Sequence, residues 1–152
     1  MGFKLNKIDI EILKILQENC RVSIEEISKK LGIPKSTVRY RVKRMEREKI
    51  IDGYYAKINP IKLGKDYLTI IFIRAKYGPA YHETIGKKLM EIPGVWGIYF
   101  IFGESDFVLL MRSRDRYDYL KKLEKIMNMK EVERTNTQII AKVIKEDPRI
   151  DL

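Results

Sequence analysis

Between Lys35 and Lys49 the chain carries one narrow apolar stripe in an otherwise basic stretch, and few folds accommodate that. Val38, Val42 and Met45 recur at i, i+4 and i+7, the spacing of a single buried seam on a helix. Around them stand seven basic residues (Lys35, Arg39, Arg41, Lys43, Arg44, Arg47, Lys49) and two acids, Glu46 and Glu48, a local excess of five in a chain of formal net charge +10. A helix buried along so thin a seam has to pack against other helices, and its remaining surface faces solvent or a polyanion.

The segments ahead of it supply those helices. Ile8, Ile12, Ile15 and Leu16 follow helical spacing, with Asn6 as a cap, and predict a helix ending near Asn19. Ser23-Ile24-Glu25-Glu26 has the reciprocal pattern of a capping box, opening a second helix whose inner face is Ile24, Ile27 and Leu31. Gly32-Ile33-Pro34 then ends one helix and begins the next, which runs from about Lys35 to Glu48. Three short helices, a tight glycine turn and a basic last helix predict a helix-turn-helix within residues 1–58. The bland alternative is a three-helix bundle with a solvated charged face; the coincidence of the turn, the thin seam and the hydroxyl pair Ser36-Thr37 favours insertion into a DNA major groove. On that reading Ser36, Thr37, Arg39 and Tyr40 reach base edges, while Lys35, Arg41, Lys43 and Arg44 meet phosphates. Asp52-Gly53, flanked by Ile50-Ile51 and by Tyr54 to Ile58, predicts a hairpin that would serve as a wing.

Pro60 and Gly64 bracket a linker over residues 59–66, and the character of the chain changes beyond it. Tyr67–Lys76 reads as a strand, Tyr81–Met90 as a helix, Val95–Phe102 and Phe107–Arg112 as strands, Tyr117–Met127 as a helix and Val132–Lys145 as a final strand. The order βαββαβ over residues 67–152 is the ferredoxin-like arrangement, so the chain as a whole is α+β: an N-terminal winged helix-turn-helix followed by a ferredoxin-like domain. A weak echo between Leu89–Val95 and Ile126–Val132 fits two βαβ halves. In the strand from Val95, the residues Trp96, Ile98, Phe100 and Phe102 alternate with Val95, Tyr99 and Ile101, so both faces are apolar, and a second subunit is the simplest cover for the face without helices.

Several classes of function are disfavoured. The single cysteine, Cys20, rules out an intrachain disulfide framework or a multi-cysteine metal cluster, which suits a reducing interior. Without an apolar run near the roughly 18 residues of a membrane span or a secretory core, the expected location is the cytoplasm. Met1-Gly2 is not a myristoylation signal, since Asn6 stands where a hydroxyl residue is wanted. Enzyme chemistry has little to work with: His82 is the lone histidine, Cys20 sits beside Arg21 in the other half of the chain, and the sequence has no phosphate-binding glycine motif, so no cofactor is expected.

Ile8-Asp9 through Leu16-Gln17, Ser23 to Gly32, Ser36 to Arg39, Ile50 to Tyr54, Ile58-Asn59-Pro60, Leu63-Gly64, Gly103, Asp106 and Thr135 to Ile140 together resemble the Lrp/AsnC family across nearly the whole chain. The resemblance implies a feast/famine transcription regulator that binds double-stranded DNA, pairs through its C-terminal domain into homodimers and then into an octamer or other ring of dimers, and binds an amino acid between subunits. It points to the loop Gly103-Glu104-Ser105-Asp106 and the last strand as the effector pocket. The acids Glu104 and Asp106 can accept from a ligand ammonium, and the glycine loop with Thr135 or Thr137 can donate to its carboxylate. Tyr77 can line the same cleft. Ser105 stands where an aromatic is commoner in the family, and the alternative for the loop is a hairpin turn with solvated acids. Two rivals remain: an architectural DNA-compacting protein without an effector, and an enzyme built on the αβ domain.

Overall fold

The computed structural model describes residues 4–78 and 80–152, and Met1-Gly2 lies outside them. The chain forms two compact units, one running to Lys57 and taking back Glu146–Leu152, the other Ile58–Lys145.

In the first unit three helices, α1 (Lys7–Glu18), α2 (Ile24–Leu31) and α3 (Lys35–Arg47), close around Ile12, Leu13, Ile15, Ile27, Val38, Val42 and Met45. Burying side chains of this size contributes roughly 1.5–3 kcal/mol each. Two reciprocal capping boxes fix the helix starts: Asn6 with Asp9, and Ser23 with Glu26. The Ser23 hydrogen bonds hold the Glu26 carboxyl below its ordinary value. Gly32, left-handed at φ 65, ends α2 and lets Pro34 start α3 within two residues.

The expected hairpin at Asp52-Gly53 does not form: no strand lies between Ile50 and Ile58. A tight hairpin turn with glycine second needs positive φ there, and Gly53 is not among the residues with positive φ. The chain turns earlier instead, at Lys49 (φ 57), and the Ile50 and Ile51 amides donate to the Met45 carbonyl at 2.9 and 3.2 Å. The Tyr54 hydroxyl then donates to Glu46 at 2.8 Å, and partial burial, reinforced by this bond, pushes its phenol up to about 12. The wing segment is thus held against the end of α3 as extended, unpaired chain. Residues Glu146–Leu152 return to the same unit, where the Gln17 side-chain amide brackets Ile150, accepting from its N–H at 2.7 Å and donating to its carbonyl at 3.0 Å.

The second unit opens with a short 3-10 turn, Ile61–Leu63, and continues as β1 (Tyr67–Ala75), α4 (Tyr81–Met90), β2 (Val95–Phe100), β3 (Phe107–Ser113), α5 (Arg116–Met127) and β4 (Val132–Ile139). The strands form one antiparallel sheet in the order β2-β3-β1-β4, the ferredoxin-like topology. Ile85 and Leu89 of α4 and Tyr119 and Ile126 of α5 pack on Ile71, Ile73, Leu109 and Met111, so both helices cover one face. On α5 the Lys122 ammonium is buried among the Asp118 carboxylate, the Ser113 hydroxyl and the Arg112 carbonyl. That ammonium, with the Arg114 amide, holds the Asp118 carboxyl well below the carboxylate range.

The strands depart from the sequence expectation most in β4 and β2. β4 stops at Ile139, because the Ile140 N–H makes the last bond to β1, to the Leu68 carbonyl, and β1 itself begins only one residue before Leu68, at Tyr67. In β2 a bulge between Val95 and Gly97 breaks the expected alternation: Val95 and Ile98 pack toward the core, whereas Trp96, Tyr99 and Phe100 are exposed.

Candidate functional site

The surface of α3 follows from its seam. With Val38, Val42 and Met45 buried, Ser36, Arg39, Tyr40 and Lys43 fall on one exposed stripe at spacings of three and four, and Tyr40 is 61% exposed. Thr37 and Arg44 are half-buried beside it. Lys35 is exposed and pairs with Glu25 at 3.1 Å, tying the start of α3 to α2.

Arg41 departs from its expected role. Its guanidinium turns toward α1, donating to the Asp9 carboxylate at 2.8 Å and to the Asn6 side-chain oxygen at 3.1 Å, with the Asp9 side chain 3% exposed. It is an internal brace between α1 and α3 and leaves the set of phosphate contacts. The Asn6/Asp9 spacing, the same as that of Ser23/Glu26, was a signal in the sequence that a carboxylate would be held at that helix start.

The second unit holds a cleft of about 520 Å³ on the sheet face away from the helices. Phe72 and Arg74 of β1, Arg134, Thr135, Asn136 and Gln138 of β4, and Ile101, Glu104 and Ser105 of the β2–β3 connection line it. Strand register explains this set, because Phe72 lies opposite Asn136, Arg74 opposite Arg134 and Ile70 opposite Gln138. Side chains alternate faces along a strand, so 134, 136 and 138 share the open face with 70, 72 and 74.

Of the expected effector residues, Glu104, Ser105 and Thr135 line the cleft. The Gly103 carbonyl stands behind them, accepting from Arg74 Nη1 at 3.2 Å. Thr137 does not join them: its hydroxyl accepts from the Tyr119 hydroxyl of α5 at 2.8 Å, which places it on the helix-covered face. Tyr77 is 67% exposed and outside the cleft lining, with the Arg74 guanidinium 5.1 Å from its ring centre.

Asp106 is buried rather than presented to the cleft. Its carboxylate accepts from the Ala75 N–H at 2.8 Å and the Tyr81 hydroxyl at 3.5 Å, and lies 3.7 Å from Arg74 Nε. Partial burial and this negative charge push the Tyr81 phenol above its ordinary value. Arg74, held by Asp106 and by the Gly103 and Glu104 carbonyls, has its charge compensated. Among the described residues no partner is found for the Arg134 guanidinium or the Glu104 carboxylate, so one side of the cleft offers an uncommitted cation and another an uncommitted anion. Sequence reasoning missed Phe72, Arg74, Ile101, Arg134, Asn136 and Gln138; strand alternation registered from Thr137 on the covered face would have found the β4 residues.

Both units have counterparts in known proteins. Residues 5–52 match the winged helix-turn-helix DNA-binding model, and residues 69–150 match the Lrp/AsnC ligand binding domain. An HTH-type transcriptional regulator of Pyrococcus furiosus, FL11, is 33% identical over 142 residues, with 93% of each chain covered. Among solved structures, AsnC of E. coli superposes with a TM-score of 0.88 at 26% identity, covering 95% of this chain and 97% of that one. A feast or famine regulatory protein from M. tuberculosis, complexed with L-methionine, superposes with a TM-score of 0.87 at 27% identity, covering 97% and 99%. No helix among the described residues is long and apolar enough to cross a membrane. The family models span both units and the relatives run the length of the chain, so this protein belongs to the Lrp/AsnC family and is a DNA-binding transcription regulator rather than an enzyme.

Proposed function

We propose that the protein is a sequence-specific regulator whose DNA binding responds to a free amino acid held in the sheet-face cleft. The observation that carries this reading is the pair of uncommitted opposite charges on one cleft, Arg134 and Glu104. An amino acid at neutral pH is a zwitterion, and its carboxylate and ammonium ask for one group of each kind. Glu104 accepts from the ammonium, Arg134 with the Ser105 hydroxyl donates to the carboxylate, and Asp106 acts beneath them by holding Arg74 in place. The L-methionine bound by the M. tuberculosis regulator supports a ligand of this class.

On the DNA side, Ser36, Thr37, Arg39 and Tyr40 read bases while Lys35, Lys43 and Arg44 contact phosphates of a double helix in the cytoplasm. Residues 1–58 form the DNA-reading module, 59–66 the linker and 67–152 the sensing module. Self-association follows from the open sheet face, where Ile70, Phe72, Val108 and Leu110 form an apolar patch that no helix covers. A second copy set against it makes a homodimer that also roofs the cleft, and dimers can close further into an octamer or another ring. Calorimetric titration of the full chain against the common amino acids, paired with a footprint on a selected DNA site, tests the reading. Saturable binding of at least one amino acid that changes the footprint is the expected result; heat from none of them, with uniform protection of any fragment, points to a DNA-compacting protein instead.

A further inference from the structure

We infer that the side chain of the bound amino acid ends in a carboxamide, which makes glutamine and asparagine the effector class. This rests on the reading of the cleft as an amino-acid site and assigns what lies beyond the groups that hold the zwitterion.

The cleft is electrically balanced before any side chain is considered. Arg134 and Glu104 answer the two ends of the amino acid, and Arg74 is already compensated by Asp106 at 3.7 Å and by two backbone carbonyls. A lysine or glutamate side chain would bring a charge with no counter-charge among the lining residues. A neutral side chain is therefore selected.

The remaining wall says which neutral side chain. Next to Arg134 on the same face of β4 come Asn136 and Gln138, whose amides bond to each other, Gln138 Nε2 donating to Asn136 Oδ1 at 3.3 Å. A carboxamide has one carbonyl oxygen and one NH2. When two pair through a single hydrogen bond, one oxygen and one NH2 are left unused by the pair, whichever of the two is the donor. The pair thus offers an acceptor and a donor side by side, and a third carboxamide has the complement of both. A carboxylate has only acceptors and meets the unused amide oxygen with no proton between them. A thioether satisfies neither group, and a hydroxyl is too short to span both. Phe72, opposite Asn136, and Ile101 supply the apolar surface against which the side-chain methylenes lie.

The test is isothermal titration of the full chain with glutamine, asparagine, glutamate, aspartate, methionine and lysine, repeated with Gln138→Leu. The inference expects glutamine or asparagine to bind at least about tenfold tighter than the matching acid and than methionine, as loss of hydrogen-bond complementarity predicts. In Gln138→Leu, binding of methionine should persist while the preference for the carboxamide falls to about threefold or less. Because residue 138 is exposed, an unchanged melting temperature will confirm that the variant is folded. Tightest binding of methionine, lysine or an acidic amino acid would overturn the carboxamide assignment and leave the amino-acid site standing. Binding of none of the six would overturn both.

Discussion

The recognition helix and the cleft differ in how much of the chain must be in place before either surface exists. On α3 a single element carries the whole surface, so three buried positions determine which side chains face outward. The cleft draws on β1, β4 and the β2–β3 connection, and its composition depends on pairing between strands some sixty residues apart in sequence. A helical surface tolerates an error of one residue because neighbours at i+3 and i+4 share the face; in a strand the same error exchanges the two faces entirely. Local spacing therefore suffices for the first site, and register is indispensable for the second.

The most disruptive way to probe this contrast is to remove a group that is structural but looks functional. Asp9→Ala leaves the Arg41 guanidinium without its counter-charge between α1 and α3, and should cost about 3 kcal/mol in urea unfolding of the full chain. A loss under about 1 kcal/mol would mean the pair behaves as a surface ion pair and would return Arg41 to the candidates for phosphate contact.

Next in size are changes on the exposed stripe of α3. Arg39→Ala should weaken binding to a site selected from random sequences by about 1–3 kcal/mol and weaken random DNA much less, whereas Lys43→Ala should weaken both alike and lower the salt slope by about one. Equal losses for Arg39 on both kinds of DNA, in fluorescence anisotropy across a salt series, would reduce it to a phosphate contact.

The smallest effect separates the two faces of β4. Thr137→Val removes the Tyr119 hydrogen bond and should lower stability by about 1 kcal/mol while leaving amino-acid affinity alone. Arg134→Ala, three residues away on the open face, should do the reverse, abolishing calorimetric binding at unchanged melting temperature. A ligand defect in Thr137→Val without a stability change would mean that β4 presents the other parity to the ligand.

Much of this was legible in the residues. Both capping boxes, the glycine break at Gly32 and the seam on α3 are local patterns, and all three helices of the first unit start within a residue of where those patterns place them. The βαββαβ order could be read because each strand and helix is bounded by its own turn residues. What escaped was non-local. Asp52-Gly53 has a strong hairpin signature, but the left-handed turn at Lys49, just past the Glu48 cap of α3, had already redirected the chain. The family resemblance assigned Asp106 to the ligand and the basic helix assigned Arg41 to phosphate, whereas tertiary placement gives them Ala75 and Asp9 as partners. The choice of Thr137 followed hydroxyl chemistry, where the face of the strand was the deciding variable.

The return of Glu146–Leu152 to the helical unit makes that unit discontinuous in sequence: the backbone crosses between the two units once at Lys57–Ile58 and again at Lys145–Glu146. A nick at Lys57–Ile58 leaves the three helices tied to the rest only through non-covalent contacts with the returning segment, such as those of Gln17 with Ile150. A fragment ending at residue 57 is likewise not the whole unit, since it lacks the peptide that Gln17 grips at Ile150.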